Sequence, residues 1–386
     1  MEIYFDNSAT TKMLKEVSLA IDDLNEKFYA NPSAMHRAGF LAEEQVKASS
    51  KIICDIINCE PSEVIWTSGG TESNNMAIRG YANCYKKTGN RIITTKIEHP
   101  SVKKVCESLE DEGFELVYLD VDSEGHISLD DLSNSLNDNS ILVSIMYINN
   151  EIGSKQNIEE IGKLIKEKNK NTAFHVDFVQ GFSKYKIDVK KTKIDFLSIS
   201  SHKFNGPKGV GVLYKNKSLR IKPLILGGAQ QNDLRAGTLN VPGIVGTAEA
   251  AKISYSSIDE EFIRLKNLKN YLIDELSKLN EKYGIISVNS KKDDGFAPHI
   301  ISISFKGIRA EVILHALEER EIYVSAGSAC SSHNKKTSST LISIGLKPEL
   351  AESTIRVSFG RYNVNDEVDE FIKVLDELIP RLNIRR

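Results

Sequence analysis

The sequence alternates between strand-like and helix-like segments from about residue 40 to residue 255. Seven segments are short, rich in β-branched residues and almost continuously apolar, which is typical of strands buried on both faces of a sheet. They are EVIWT (63–67), RIITT (91–95), FELVYLD (114–120), ILVSIMY (141–147), TAFHVD (172–177), IDFLSIS (194–200) and GVLYK (211–215). Between them, residues 72–87 and 158–170 carry apolar side chains at three- and four-residue spacing, which predicts amphipathic helices. The pattern predicts an α/β fold with a mainly parallel sheet covered by helices.

The pattern changes at about residue 256. The segments beyond it are a charged helix over 259–283, a strand at 299–305, a helix near 309–320 and a strand at 353–359. At 386 residues the chain is long for one compact unit. We therefore expect two domains, of which the second is a smaller α+β unit that begins at about residue 256.

Composition narrows the classes of function. A net charge of −3 gives no electrostatic drive toward nucleic acid or membranes, and no apolar run approaches the roughly 20 residues that span a bilayer. The five cysteines, at 54, 59, 84, 106 and 330, are an odd number without regular spacing, and the chain opens without signal-peptide features. We therefore expect the protein to work in a reducing compartment, the cytoplasm. Cys54 and Cys59 are separated by four residues, but no second Cys or His pair at zinc-ligand spacing accompanies them, so we expect no metal site.

Polar residues follow the predicted strands, and ligands of parallel sheets bind beyond the carboxyl ends of the strands. After 63–67 comes SGGTESNN (68–75), in which Gly70 and Thr71 precede a helix. Glycine allows close backbone approach and a helix start attracts anions, so this segment is a candidate phosphate site. The alternative is an ordinary tight turn with Thr71 or Ser73 as the helix cap.

The next strand ends repeat this arrangement. His99 follows 91–95, Asn149 and Asn150 follow 141–147, and Asp177 ends the strand at 172–177 with Gln180 one turn later. A single such residue is usually a structural hydrogen-bonding group. Their recurrence at successive strand ends indicates a binding site.

Lys203 gives the strongest local signal. It lies in SISSHKFNGPKGVG (198–211), where an apolar strand is followed by Ser200, His202 and Lys203. A lysine after a buried strand is partly desolvated, which favours the neutral amine that condenses with a carbonyl. Lysine, an acidic partner such as Asp177 and an anion-binding helix start are the groups that pyridoxal phosphate requires. The glycine spacing of GPKGVG does not match a dinucleotide fingerprint, and no phosphate-binding loop of the G-x-x-x-x-G-K-[ST] type occurs.

These residues lie within ten ordered motifs that span almost the whole chain. They are YFDNSATT (4–11), NPSAMHRAG (31–39), TSGGTESNN (67–75), EHPSV (98–102), NNEIG (149–153), HVDFVQ (175–180), SSHKFNGPKGVG (200–211), RAGTLNVP (235–242), SAGSACSS (325–332) and STIRVSFGR (353–361). The sequence resembles the cysteine desulfurases, which are pyridoxal-phosphate enzymes of transferase fold type I and aminotransferase class V. The resemblance implies a large domain over 16–255 with a mainly parallel, mixed, seven-stranded sheet, and a smaller α+β domain over 1–15 and 256–386 that carries the cysteine segment.

The resemblance implies roles for individual residues. Lys203 would hold the cofactor and move the substrate Cα proton, His99 would stack on the ring and assist proton transfer, and Asp177 would pair with the pyridine nitrogen. Asn150 and Gln180 would bond near the ring hydroxyl. The phosphate would be held by Gly70, Thr71, Ser200 and His202, with Thr238 from a second subunit. Arg356 would bind the substrate carboxylate, with Asn31 helping to position the substrate.

Cys330 lies among small residues and before the polar stretch SSHNKKTSS (331–339). Free cysteine is more often a buried filler than a reactive group. In the resembling family the equivalent thiol takes the sulfur of L-cysteine as a persulfide and leaves L-alanine. His333, Lys335 and Lys336 would favour its thiolate electrostatically.

The segment SAGSACSS (325–332), which contains Cys330, resembles the corresponding segment in the housekeeping group of the family. That group passes sulfur to iron–sulfur scaffold proteins or tRNA-thiolation enzymes, and its members are homodimers. Gln231 and Asn232 stand where an acidic residue often follows the glycines. A selenocysteine lyase, another class V aminotransferase, or a non-catalytic sulfur-trafficking protein that retains the fold are the alternatives.

Overall fold

A computed structural model of the chain describes residues 2–326 and 337–383. Its strands are β1 (Ile3–Tyr4), β2 (Val64–Thr67), β3 (Arg91–Thr95), β4 (Glu115–Leu119), β5 (Ser140–Met146), β6 (Ala173–Asp177), β7 (Phe196–Ser200), β8 (Gly211–Lys215), β9 (Ile286–Val288), β10 (Ile300–Phe305), β11 (Ile322–Tyr323), β12 (Ser325–Ala326) and β13 (Thr354–Ser358). Its α-helices are α1 (Lys15–Lys27), α2 (Arg37–Ile57), α3 (Gly70–Asn75), α4 (Tyr81–Tyr85), α5 (Pro100–Asp111), α6 (Leu129–Ser135), α7 (Ile158–Lys168), α8 (Val241–Ser256), α9 (Ile258–Tyr283), α10 (Ala310–Glu318), α11 (Ser339–Ser343), α12 (Pro348–Ala351) and α13 (Asn365–Leu382). A π-helical segment, Met76–Gly80, joins α3 to α4, and 3₁₀ turns occupy Pro61–Glu63 and Ser201–Lys203.

Seven strands form the large sheet, in the order β2-β8-β7-β6-β5-β3-β4. The pairs from β7 through β6, β5 and β3 to β4 are parallel, whereas β8 runs antiparallel to both of its neighbours. The predicted mainly parallel, mixed, seven-stranded sheet is therefore confirmed. Its consequence for the site is that β2, β3, β5, β6 and β7 all present their carboxyl ends at one edge.

Helices cover both faces of this sheet because the strands are apolar on both sides. Trp66 packs into a buried cluster with Ile53 of α2 and Ile244 of α8. The neighbouring residue Ile65 enters a different cluster with Val105 of α5. Successive side chains of a strand point to opposite faces, so a continuously apolar strand needs a helical layer on each side.

A smaller sheet has the order β12-β13-β10-β9 and is antiparallel throughout. It packs with α9, α10 and α13 around a separate apolar cluster. The amino-terminal strand β1 pairs in parallel with β11, and Asp6 bridges to Ser358. The segment after β1 is thereby held beside the carboxyl edge of the large sheet.

The predicted helices are confirmed with small shifts of their bounds. The helix predicted over 72–87 begins at Gly70 and ends at Tyr85 with the π-helical segment inside it, and the helix predicted over 259–283 is α9. Within the described ranges, no helix is both long and apolar enough to cross a membrane.

Candidate active site

Five of the residues singled out from the sequence lie at the carboxyl edge of the large sheet. Asp177 and Ser200 are the last residues of β6 and β7, and Lys203 ends the 3₁₀ turn that follows β7. His99 immediately precedes α5 at the end of β3, and Asn150 follows β5. Parallel strand direction brings these chain-distant positions to one edge, which is where ligands of such sheets bind.

Lys203 turns toward the amino-terminal segment. Its Nζ donates hydrogen bonds to the backbone oxygens of Ser8 (2.5 Å) and Ala9 (2.8 Å). The Gln180 amide donates to the same Ser8 oxygen at 3.0 Å. The ammonium group is thus held at the sheet edge by backbone carbonyls, which are neutral acceptors that a ligand group can replace.

Asp177 is buried, and each of its carboxylate oxygens accepts a hydrogen bond. Its Oδ1 accepts from the backbone N–H of Val179 at 3.0 Å, and its Oδ2 accepts from Nδ2 of Asn74 at 2.8 Å. Asn74 lies on α3, on the sheet-facing side of the helix that begins at Gly70. No role had been assigned to Asn74 from the sequence. Asn74 stands four residues after Gly70, so the two residues share one face of the helix. This spacing is the one feature of the sequence that relates Asn74 to the site.

His99 caps α5 from the residue before it. Its Nδ1 accepts from the backbone N–H of Ser101 at 3.2 Å and lies 2.8 Å from the Ser101 hydroxyl. Burial lowers the pKa of His99; the Asp177 carboxylate acts in the opposite direction, and the Lys203 ammonium adds to the lowering. The imidazole is therefore held neutral.

Glu98, which the sequence reasoning did not assign, is buried beside His99. Its Oε1 accepts from the Thr95 hydroxyl (2.8 Å) and from the Met146 backbone N–H (2.9 Å), while its Oε2 has no hydrogen-bond partner among the described residues. Burial raises the pKa of Glu98 to about 8. The carboxyl group is therefore protonated at neutral pH, and so does not add a negative charge beside Asp177.

The start of α3 has the features of an anion site. Its cap is Gly69, and within the described chain no side chain caps this helix, so the expected alternative of Thr71 or Ser73 as the cap is wrong. Gly69 has a φ of 153°, a backbone conformation that residues with a side chain rarely adopt. A Cβ on Gly70 would lie 2.7 Å from Val179 Cγ2, so a larger residue there would require the Val179 side chain to shift.

His202 and Ser200 border the same corner. Nδ1 of His202 lies 3.1 Å from the Thr10 hydroxyl, and a Cβ added to Gly69 or Gly70 would lie within 4 Å of Ser200 Oγ. Burial lowers the pKa of His202 to about 4, and the Lys203 and Lys208 cations act in the same direction. A neutral histidine, a hydroxyl and free helix N–H groups form a hydrogen-bonding set that suits a phosphate.

Arg356 approaches the site from β13 of the smaller sheet. Its guanidinium is buried, with Nη2 2.6 Å from the Asp6 carboxylate and Nη1 donating to the Asn150 backbone oxygen at 2.8 Å. Its Nε has no hydrogen-bond partner among the described residues. The structure thus places Arg356 against Asn150, between the two sheets.

A groove of about 400 Å³, a volume typical of small-ligand sites, opens beside His99 and Thr71, whereas Lys203 and Asp177 do not line it. Its lining is Thr71, Asn75, Arg79, His99, Pro100, Ser101, Lys104, Val105 and Ser108. The amine of Lys203, the carboxylate of Asp177, the flat ring of His99 and the uncapped start of α3 fit the groups of pyridoxal phosphate.

Three residues expected at the site are not brought to it by the described chain. Asn31 is exposed, and its Oδ1 accepts from the Ser33 backbone N–H. Thr238 is also exposed, in the segment between β8 and α8, and neither side chain bonds to the site residues named above among the described residues. Cys330 lies outside the described residues.

Known proteins resemble this chain in sequence and in fold over almost its whole length. The family model for class-V aminotransferases matches residues 3–371. A cysteine desulfurase IscS of Methanosarcina thermophila is 40% identical over 380 residues, covering 98% of this chain and 92% of that protein. A solved NifS-like protein superposes with a TM-score of 0.93 at 35% identity, covering 99% of this chain and 100% of the other. A structure of SspA in complex with cysteine superposes with a TM-score of 0.79 at 34% identity, covering 94% and 100%.

Proposed function

The chain belongs to the class-V aminotransferases and, within them, to the cysteine desulfurases, and from that premise we propose that it converts L-cysteine to L-alanine with pyridoxal phosphate. The observation that carries the proposal is the meeting of Lys203, Asp177 and His99 at the sheet edge where α3 begins without a side-chain cap. These are the groups that the cofactor and its chemistry require.

Each of these residues would bind a different part of the cofactor. Lys203 would hold its aldehyde carbon, Asp177 its pyridine nitrogen and His99 the face of its ring. Asn150 and Gln180 would bond near the ring hydroxyl, and the phosphate set is Gly70, Thr71, Ser200 and His202. When bound, the cofactor supplies an electron sink that makes the substrate Cα–H acidic and the Cβ–S bond reactive.

Lys203 is the proton carrier in this proposal. Its Nζ leaves the Ser8 and Ala9 carbonyls, which are acceptors only, and once neutral it takes the proton from the substrate Cα. Gln180 remains on the Ser8 oxygen, so the amino-terminal segment keeps its place while the lysine moves.

Arg356 would bind the carboxylate of the substrate. A planar guanidinium suits two-point recognition of a carboxylate, and its pairing with Asp6 fixes the plane of the group before substrate arrives. Asn31 would help to position the substrate.

Sulfur transfer is assigned to Cys330 from the sequence. Its thiolate attacks the substrate sulfur, so an S–S bond forms while the substrate C–S bond breaks. The C–S electron pair returns to the carbon skeleton, which gains protons and leaves as alanine. The net change is cysteine plus enzyme thiol to alanine plus enzyme persulfide, with no added oxidant. His333, Lys335 and Lys336 would favour the thiolate.

The acceptor would be a protein, either an iron–sulfur scaffold or a tRNA-thiolation enzyme, and we place the reaction in the cytoplasm. We also propose a homodimer with a large domain over 16–255 and a small domain over 1–15 and 256–386. The exposed Thr238 would reach the phosphate of the partner subunit.

The test is the chemistry of the purified protein. We expect a yellow protein that releases alanine and, with a reductant, sulfide in equal amounts from L-cysteine. Lys203→Ala should lose this turnover by about a hundredfold or more, because the proton carrier is gone. The matched control is Lys208→Ala, in the same loop.

Three results would reject the proposal. The first is a Lys203→Ala protein with unchanged turnover. The second is amino transfer to an oxo acid in place of desulfuration, and the third is selenide release from selenocysteine without sulfide release from cysteine. The last two would assign another class V aminotransferase or a selenocysteine lyase.

A further inference from the structure

A continuous chain of hydrogen bonds joins His99 to Asp177 through two residues without assigned roles. Nδ1 of His99 lies 2.8 Å from Oγ of Ser101. Nδ2 of Asn74 lies 2.8 Å from that Oγ and 2.8 Å from Oδ2 of Asp177. Asn74, Ser101 and Asp177 are all buried, with exposures of 1%, 8% and 6%. Water therefore competes little for these bonds, and their directions are set by the chain itself.

The carboxylate of Asp177 determines the orientation of the Asn74 amide. A carboxylate only accepts hydrogen bonds, so the atom facing Oδ2 must be the NH₂ group and not the carbonyl oxygen. The second hydrogen of that NH₂ group then points to Ser101 Oγ. Oδ1 of Asn74 has no partner among the described residues, so no other contact opposes this orientation.

The direction of the hydrogen bonds at Ser101 fixes the protonation of His99. Because Ser101 Oγ accepts from Asn74, its own proton is available for His99 Nδ1. The Ser101 backbone N–H also donates to that nitrogen, at 3.2 Å. Nδ1 therefore accepts two hydrogen bonds and carries no proton, and in a neutral imidazole the proton must lie on Nε2.

We propose that Asn74 and Ser101 are positioning residues that hold His99 as its Nε2–H tautomer and tie the orientation of its ring to Asp177. The inference rests on the proposed function only in naming the cofactor that His99 and Asp177 would share. Its consequence is that His99 offers a hydrogen-bond donor through Nε2. Protonation at Nδ1 would break two hydrogen bonds, so the base of the reaction is Lys203.

The charges around His99 agree with a neutral ring. Asp177 on β6 favours protonation, whereas Lys203 after β7 opposes it, and burial opposes it most strongly. Glu98, the preceding residue, has its pKa raised by burial and is uncharged at neutral pH.

The experiment is nuclear magnetic resonance of the holoenzyme with ¹⁵N-labelled histidine. The His99 signals are identified by their loss in His99→Gln, and two-bond ¹⁵N–¹H correlations show which ring nitrogen carries the proton. We expect an unprotonated Nδ1 and a protonated Nε2 at pH 7 to 8. A proton on Nδ1, or a doubly protonated ring, overturns the proposal.

Variants test whether the two residues are the cause. Asn74→Asp replaces the donor by an acceptor, so the Ser101 proton turns to residue 74 and we expect a shift of the His99 proton toward Nδ1. Ser101→Ala should give a smaller shift in the same direction, because the backbone N–H remains, and Ser101→Thr should retain the wild-type tautomer. Ser108→Ala is the matched control, since this serine lies on the same helix and bonds to Arg79.

A wild-type tautomer in both Asn74→Asp and Ser101→Ala would overturn the causal role. The wild-type spectrum decides the tautomer even if a variant fails to fold. None of these measurements requires turnover, so a failed tautomer assignment leaves the desulfurase proposal standing, and the reverse also holds.

Discussion

Arg356 is the residue whose contacts most directly imply a binding role. It lies buried between the sheets, yet both of its bonded nitrogens face groups at the site, Asp6 and Asn150. Arg356→Lys keeps the charge and removes the two-point fork, so we expect the KM for L-cysteine to rise about tenfold, because a charge-assisted hydrogen bond contributes about 1.5–3 kcal/mol.

Steady-state kinetics with L-cysteine check this. Arg264→Lys is the control, because Arg264 also bonds to backbone carbonyls of the small-sheet region but lies outside the proposed site. An unchanged KM for Arg356→Lys would remove the carboxylate-binding role.

The raised pKa of Glu98 leads us to expect that the stability of the protein depends on pH. Its pKa is about 8 in the folded protein, above the ordinary value of 4.5. Folded protein therefore holds a proton that unfolded protein has released, so this group lowers the free energy of unfolding as the pH rises between those values. Glu98→Gln removes that dependence, and we expect it to be more stable relative to wild type at pH 8.5 than at pH 5.5.

Thermal unfolding of the holoenzyme at the two pH values measures the change. The quantity compared is the difference in Tm between Glu98→Gln and wild type. Glu112→Gln, at an exposed ion pair with Arg79, is the control. A difference that stays constant with pH would mean that Glu98 is ionised in the folded protein.

The sequence predicted the strand-end residues of the site but not the links between them. Lys203, Asp177 and His99 follow apolar strands, and strand direction alone places them at one edge. Asn74 and Ser101 carry no such signal, because an asparagine in a helix and a serine after a proline are ordinary surface or cap residues. Their bond forms because α3 and α5 pack against each other in the folded chain.

At the level of elements, the segment between β8 and α8 is held to the sheet by Gln231. This side chain accepts from the Trp66 backbone N–H (2.7 Å) and donates to the Trp66 carbonyl (2.9 Å), satisfying the open edge of β2. Gln231, Asn232 and Asp233 all have positive φ, a left-handed turn that costs roughly 1–2 kcal/mol per residue. Position 231 is often acidic in the resembling family. The glutamine found here has an amide, which can both donate and accept a hydrogen bond, as the two bonds to the Trp66 backbone require.

Gln231→Glu should therefore destabilise the protein by about 1–3 kcal/mol, because a carboxylate cannot donate to the Trp66 carbonyl. Gln230→Glu is the matched control: its Oε1 only accepts, from the Gly237 N–H, and a carboxylate keeps that bond. Denaturant unfolding of both variants measures the difference. Equal stability of the two would show that the edge bond does not hold the turn.

The seven strands of the large sheet were predictable because each is apolar on both faces. The direction of β8 was not, since a local apolar pattern is the same for a parallel and an antiparallel strand. The pairing of β1 with β11 was also beyond the sequence, because two-residue strands carry no periodicity and their partners lie at opposite ends of the chain.

At the scale of the whole molecule, the proposed dimer places Thr238 of one subunit at the phosphate of the other. Thr238→Trp should then lose the cofactor even though the residue is exposed in its own chain. Mixing refolded Thr238→Trp with Lys203→Ala should restore about a quarter of the wild-type activity, because half of the dimers are mixed and each mixed dimer has one intact site. No restored activity on mixing would place Thr238 in its own subunit's site, and a Thr238→Trp protein that keeps the cofactor would place it outside any site.

The central claim is that Cys330 takes sulfur from L-cysteine bound at the site built around Lys203. The most direct measurement is a single turnover of the holoenzyme with L-cysteine and no acceptor or reductant, with alanine quantified and the peptide containing Cys330 weighed by mass spectrometry. The account predicts one alanine for each peptide that gains one sulfur atom, and a Cys330→Ala protein that keeps its yellow colour and forms almost no alanine. Cys59→Ala, which removes another partly exposed thiol, should behave as wild type. Alanine formation by Cys330→Ala at the wild-type rate would contradict the claim.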